Sequence, residues 1–309
     1  MALEQEIWSK DIQENLYQNN LFMNKSTDHS AWVVFKTVHV PQAGAKPTVQ
    51  KNRAVLPATI SQRTDSELTY SLNQYTTDPM LVTNLEDLQI SYSKRMSVIS
   101  NMVDTIGDVV SNQTLYAWAP SGASRQVRTT GSADGLVLAG GATGTRKAIT
   151  LNDIASARAI LDNDNVQMDG RVLLMTSAEY NSHFLAIANV QQAYAYGSPT
   201  LPSGVVNKVF GFDIMLRPNV LVYDNTGTPV IKAVSADGTV TTTATTDNAA
   251  CIAFHPKYVA TALGSITSYY KENDPTFYGS VFSAEIMHGA SKLRTDQKGI
   301  VAIIQTWVS

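Results

Sequence analysis

The sequence predicts a mixed α+β chain organised around one exceptionally long helix. Three observations carry this: an apolar repeat at steps of three and four from Leu85 to Val110, a β-rich stretch over residues 32–76 punctuated by proline and glycine, and alternating strand-like and helix-like segments from residue 151 onward. With 309 residues, 44% of them apolar, the chain can bury one large or two modest cores. Charged residues make up only 16% of it, below the usual share of about 25%, so much of the surface is neutral and polar, which suits wide contacts that desolvate little charge. A net charge of -3 and a pI near 5.9 argue against a protein whose main work is gripping nucleic acid through its phosphates. There is no apolar run of membrane-spanning length, and the single cysteine, Cys251, excludes an internal disulfide. The opening MALEQEIWSKDIQENL is charged from its fourth residue and lacks the apolar stretch of a signal peptide, so folding in a reducing cytoplasm is expected.

Taken in order, residues 1 to about 28 place Leu3, Ile7, Trp8, Ile12 and Leu16 at helical spacing before turning polar. This fits an amphipathic helix on a detachable arm, and equally a first helix packed on its own domain, because spacing does not say whose core the stripe enters. AWVVFKTVHV (Ala31 to Val40) reads as one strand, and AVLPATIS with ELTYSLNQYTT as returning strands. Between them lies a turn-rich, basic tip with Lys46, Lys51 and Arg53. So long a hairpin is marginal alone and needs something to lie on.

The long helix is predicted over about residues 84–118, with Pro79 upstream, Thr83 and Glu86 as a capping box, and no proline before Pro120. About 35 residues at ~1.5 Å each would make a rod of about 50 Å. Ile99 and Val103 are expected on its buried face, where aspartate at both positions would abolish soluble assembly. Gly107 is its weak point, costing roughly 1 kcal/mol against alanine. A glycine-rich stretch follows Pro120 and reads as a loop with one short hairpin. TLNDIASARAIL reads as a helix capped by Thr150 and Asp153, RVLLMT as a buried strand, and SAEYNSHFLAI as the start of a helix capped by Ser177. VNKVFGFDIMLRPNVLVYD supplies two strands, and PVIKAVSADGTVTTTAT a hairpin turning at Asp237-Gly238. CIAFHPKYVATALG reads as a strand and then a helix with Pro256 in its first turn. TFYGSVFSAEIM and the internal strand GIVAIIQTWV close the chain.

Little in the sequence suggests chemistry. GGATGTRKAIT lacks the Walker spacing, since Thr145 and Arg146 separate Gly144 from Lys147, and a plain loop is the better reading. DNDNVQMDG has Val166 where a calcium loop needs a ligand, and reads as a solvated turn. His29, His39, His183, His255 and His288 show no metal-ligand spacing, and no GxSxG elbow occurs. No catalytic residue, cofactor or metal is expected. The tyrosine pairs Tyr194/Tyr196 and Tyr269/Tyr270 fit interface anchoring or ordinary half-buried packing.

YTTDPMLVTNLEDLQISYSKRMSVI (Tyr75 to Ile99), VFGFDIMLRPNV (Val209 to Val220) and CIAFHPKYVATAL, in this order along nearly the whole chain, resemble the tailed-bacteriophage major capsid proteins of the Hong Kong 97-type fold. The resemblance implies an N-terminal arm at residues 1–31, an extended E-loop at 32–76 and a peripheral domain at 77–150 carrying the spine helix at about 84–118. It also implies an axial domain at 151–270, with closing strands at 271–309 that return to the peripheral domain. It further implies self-assembly into hexamers and pentamers of an icosahedral head around double-stranded DNA that is contacted weakly, with assembly in the host bacterial cytoplasm and no membrane. A separate scaffolding protein, a portal and decoration or auxiliary capsid proteins would be the partners. Ile7, Trp8, Ile12, Lys46, Lys51 and Arg53 are then the candidate assembly residues, Lys46 and Lys51 being placed where some relatives form an intersubunit crosslink. The alternatives are an encapsulin-type nanocompartment shell and, less in keeping with the chain's start, a surface-layer protein; an enzyme lacks a convergent set of titratable residues.

Overall fold

The computed structural model describes residues 20–83, 94–187, 208–240 and 245–308, apart from the single positions 55, 59 and 61. Six strands precede the long helix: β1 (Thr27–Asp28), β2 (Val33–Val34), β3 (Thr37–Gln42), β4 (Ser66–Ser71), β5 (Asn73–Thr76) and β6 (Met80–Thr83). Helix α1 (Lys94–Trp118) is followed by β7 (Gln126–Arg128), β8 (Ala133–Asp134), β9 (Thr145–Lys147), α2 (Leu151–Asn163) and β10 (Arg171–Thr176). Next come β11 (Lys208–Val209), β12 (Phe212–Arg217), β13 (Leu221–Tyr223) and β14 (Asn248–Phe254). The chain closes with β15 (Val259–Asp274), β16 (Gly279–Lys292), β17 (Ile300–Ile304) and β18 (Thr306–Val308).

The core is a seven-stranded mixed sheet in the order β11-β12-β10-β14-β17-β7, with β13 also paired to β14. Its central strands β10, β14 and β17 are buried at every residue, which requires cover on both faces. The period-two rule shows what covers each. Val172, Leu174, Ile252, Phe254, Ile300 and Ile304 meet Leu115 and Trp118 at the end of α1. Their alternate neighbours Leu173, Met175, Cys251, Ala253, Val301 and Ile303 meet Ile154, Ala157 and Leu161 of α2. The buried RVLLMT strand and the internal closing strand were legible for this reason. Thr150 and Asp153 form the expected capping box on α2.

A second sheet joins the long β15–β16 hairpin to β5 and β6 on the outer edge of β16, and to β1, which lies parallel to β15 at Ala260 and Thr261. The first half of α1 rests on this sheet, with Val98 and Met102 against Val82 and Phe282.

Several expectations are corrected. AWVVFKTVHV is not one strand but a hairpin, with Val34 paired to Thr37 and both intervening residues, Phe35 (φ 47°) and Lys36 (φ 67°), left-handed. That is the backbone of a two-residue type I′ turn, built without the usual Asn or Gly. After Pro256 there is one 3-10 turn and then β15, not a helix. Val259 and Ala260 are buried beneath α1's end, and β-branched Val259, Thr261, Ile266 and Thr267 favour the strand. Thr176, not Ser177, accepts the Glu179 N–H, and the short helix Ser177–Glu179 passes into a π-helical segment, Tyr180–Phe184. The closing strands split: β16 lies under α1, whereas β17 is internal to the central sheet. Of the chain's start, Phe22 is buried edge-on against Trp118 at 5.7 Å, so the part from Asn20 is packed on the body; residues 1–19, with the predicted helix and Ile7, Trp8 and Ile12, lie outside the described residues. So does the predicted start of the long helix, residues 84–93.

Candidate assembly surfaces

Three exposed surfaces stand out on the described residues. The first is the excursion between residues 32 and 76. β2, β3 and β4 form a small sheet of their own, β3 and β4 pairing over six residues from Thr37↔Ser71 to Gln42↔Ser66. Its root is fastened by Val38, Leu72 and Ala262. Farther out, Asp65 accepts the Gly44 N–H at 2.9 Å and pairs with Arg63, which holds the Asp65 carboxyl below its usual value. A Cβ on Gly44 would lie 2.0 Å from the Thr64 carbonyl oxygen, so only glycine allows the two arms to approach this closely. Lys46, Lys51 and Arg53 are all exposed beyond this crossing, and no described contact joins them to one another. At the root, Trp32, Val34 and Phe35 are exposed, Phe35 at 98%. The sequence concealed this apolar patch because Phe-Lys carries no turn signal.

The second surface is on α1. The expected buried row holds at Ile106 and Val110 but is displaced by one residue, about 100° around the helix, in the first half. Val98, Met102 and Ile106 face inward, while Met96, Ile99 and Val103 are 65%, 38% and 59% exposed. Aspartate at Ile99 and Val103 therefore leaves the subunit's own core intact, contrary to the sequence expectation; Val98 and Met102 are the positions where it would break the fold. The helix runs through Gly107, and a Cβ there meets nothing within 4 Å. Gly107→Ala is expected to stabilise the unassembled subunit by about 1 kcal/mol, read as a higher urea midpoint at unchanged slope.

The third is the far part of the β15–β16 hairpin, where Ile266, Tyr269, Tyr270, Phe277 and Tyr278 are exposed. The half-buried packing reading holds for one tyrosine pair: Tyr270 stacks on Phe282 at 4.8 Å, and Tyr269 donates to Glu285 at 2.8 Å, with each side chain still about half exposed. Tyr194 and Tyr196 lie outside the described residues.

Buried polar clamps tie the body together. Arg146, expected in a plain loop, is wholly buried and donates to the carbonyls of Thr143, Thr145, Thr245 and Asp247. In the predicted solvated turn, Asp162 pairs with Arg171 at 2.7 Å and Asp164 with Arg125. Arg217 donates to Ser111 Oγ and the Asn219 carbonyl, both at 2.8 Å, and reaches Asp108 at 3.3 Å. It thereby ties β12 to α1, although burial pulls its pKa down to about 10. Between α1 and the 219–240 segment lies a cavity of about 390 Å³ edged by Asp108, Asn112 and Lys232.

His183 bridges Asp134 (2.8 Å) and buried Glu179 (3.3 Å), and Glu179 also accepts from Gln305 (2.8 Å) and the Ile149 N–H (3.1 Å). Hydrogen bonding to Glu179 and then to Asp134 raises the His183 pKa above 6.5 against the opposing effect of burial, while His183 lowers that of Asp134. A raised histidine stabilises the fold fully below its unfolded pKa and loses that contribution as pH rises through the folded value. The stability difference between wild type and His183→Gln should therefore be largest below the ordinary histidine pKa of about 6.5 and shrink as the pH rises through the raised value, measured by urea unfolding at a series of pH values.

The fold and these surfaces define a structural protein made of extended, contact-ready elements on a rigid body. The family model described as phage capsid protein matches residues 98–306, and the chain belongs to that family. Among solved structures, it is similar to one from Mycobacterium phage Che8 (18% identity, 98% of each chain, TM-score 0.64). It is also similar to the capsid structure of the cyanophage P-SCSP1u (14% identity, 97% of this chain and 92% of that one, TM-score 0.68) and to the mature capsid of bacteriophage PhiM1 (11% identity, 97% and 91%, TM-score 0.67). No curated protein matches. The Hong Kong 97-type fold and the reading as a phage major capsid protein, a component of the virion, are thereby borne out, and the encapsulin alternative is not favoured.

Proposed function

We propose that the chain closes an icosahedral phage head as hexamers and pentamers around double-stranded DNA, with no catalytic chemistry of its own. The observation that carries this is the separate β2–β3–β4 sheet with its exposed tip, an extension whose edges and exposed apolar root a neighbouring subunit would cover. In this reading residues 32–76 are the E-loop and lie across a neighbour, with Lys46, Lys51 and Arg53 at the contact. Residues 1–31 form the arm, with Ile7, Trp8 and Ile12 as its apolar anchors. The peripheral domain covers 77–150, the axial domain 151–270, and the closing strands 271–309. A separate scaffolding protein and a portal complete assembly in the host cytoplasm, decoration proteins join the outside, and the acidic balance keeps DNA contacts light.

Expression of the chain alone and with a candidate scaffold, followed by electron microscopy of the high-molecular-weight fraction, tests this. Shells or five- and six-membered rings are the expected result; a monomer under every condition overturns it.

A further inference from the structure

The two edges of the β15–β16 hairpin are treated unequally. The outer edge of β16 is taken up by β5 (Asn73–Thr76) and β6 (Met80–Thr83). The outer edge of β15 is held only at its start, by β1 against Ala260 and Thr261 and by Ser30, whose Oγ accepts the Leu263 N–H. A bulge between Leu263 and Ile266 follows, and from Gly264 to Glu272 no strand among the described residues pairs with that edge. This leaves about 30 Å of extended backbone open on one side. Its side chains are bare as well, with Ser265, Ile266, Ser268, Tyr269 and Lys271 all exposed. Edges of this length are ordinarily guarded by proline or by charge, and neither occurs between Gly264 and Tyr270.

We propose that this edge of β15 pairs antiparallel with the same edge of a second copy of the chain, about a two-fold axis through Ser268. The sequence is self-complementary in that register. Ile266 stands opposite Tyr270 of the second copy and Tyr270 opposite its Ile266, so a β-branched and an aromatic side chain pair twice on one face. Thr267 meets Tyr269 on the other face. Charge complementarity selects the same register: Lys271 falls opposite Ser265 and Glu272 opposite Gly264, so like charges never meet. An axis through Tyr269 would instead set Glu272 against Ile266. Because the contact is isologous, each pair is made twice, and the two hairpins become one continuous sheet across the axis. The icosahedral shell proposed above supplies two-fold axes; on that reading, the inference names a surface that meets at one of them.

Introduced cysteines in the full-length chain test the register, since native Cys251 is buried. Ser268→Cys sets two thiols directly opposite each other, within disulfide reach. Thr267→Cys sets them on a diagonal about 8 Å apart, beyond it. Mild oxidation of concentrated soluble chain, and of any particles, should give severalfold more disulfide-linked dimer from Ser268→Cys than from Thr267→Cys. A mixture of Thr267→Cys and Tyr269→Cys chains should link where neither does by itself. Dimer from Ser268→Cys no greater than from Thr267→Cys overturns the proposal. Shells that form while Ser268→Cys stays unlinked overturn the pairing and leave the capsid reading standing, whereas a monomer in every preparation overturns both. Ile266→Lys, at an exposed position, supplies an independent measure. It should leave the urea midpoint unchanged and weaken self-association about tenfold; unchanged self-association also overturns the proposal.

Discussion

Trp118→Ala should cost about 3–5 kcal/mol and deplete the soluble subunit before any assembly step. Trp118 is wholly buried where four parts of the chain meet: its own helix α1, the central sheet through Phe254 at 5.3 Å, the amino-terminal turn through Phe22, and β15 through a 3.1 Å hydrogen bond from its indole N–H to the Ala260 carbonyl. Alanine leaves a cavity lined by all four and removes a buried donor. Against a total stability of about 5–15 kcal/mol, such a loss moves the subunit close to unfolding. Urea unfolding of purified subunit and yield in the soluble fraction both report it. A loss below about 1 kcal/mol would mean that these four parts do not share one core.

Asp108→Ala should cost about 3–5 kcal/mol, more than Arg217→Met, which should cost about 1–2 kcal/mol. The asymmetry follows from exposure: the Arg217 side chain is completely buried, whereas Asp108 is 28% exposed. Removing the carboxylate strands a guanidinium in the interior, where the Ser111 hydroxyl and the Asn219 carbonyl are its remaining acceptors among the described residues. Removing the guanidinium instead leaves Asp108 able to hydrate, and methionine can fill the arginine's apolar path beside the Phe22 ring, 5.6 Å from the Arg217 centre. Equal costs for the two variants, measured by chemical unfolding, would show that packing rather than charge pairing sets this contact.

The parts of the fold legible in the sequence are those where one rule acts alone. Thr150 with Asp153 capped a helix because capping is local, and RVLLMT read as a buried strand because no polar residue interrupts its central run. Errors arose where tertiary cover overrode a local pattern. The repeat on α1 is real, but both rows flanking its axis are apolar, and only the position of Val82 and Phe282 selects Val98 and Met102 over Ile99 and Val103. Pro256 suits a helix's first turn, yet pairing with β16 extends the chain from Val259 to Asp274. Arg146 was invisible as a clamp because its four carbonyl partners come partly from residues about a hundred positions away. Of the candidate assembly residues, Lys46, Lys51 and Arg53 were found as exposed loop charges, whereas Trp32, Val34 and Phe35 were hidden by an unmarked turn.

The uneven burial of α1 gives the subunit a mechanical character. Beyond Val110 the helix is gripped in the body by Leu115 and Trp118; ahead of Gly107 one face, Val98 and Met102, rests on Val82 and Phe282 of the second sheet while Met96, Ile99 and Val103 are exposed. Such a rod behaves as a beam clamped at one end, and deflection concentrates where the clamp stops, next to the one residue with no side chain to stiffen the turn. In the shell proposed above, copies at different curvatures would then share an identical central sheet and differ in the tilt of the beam's outer half.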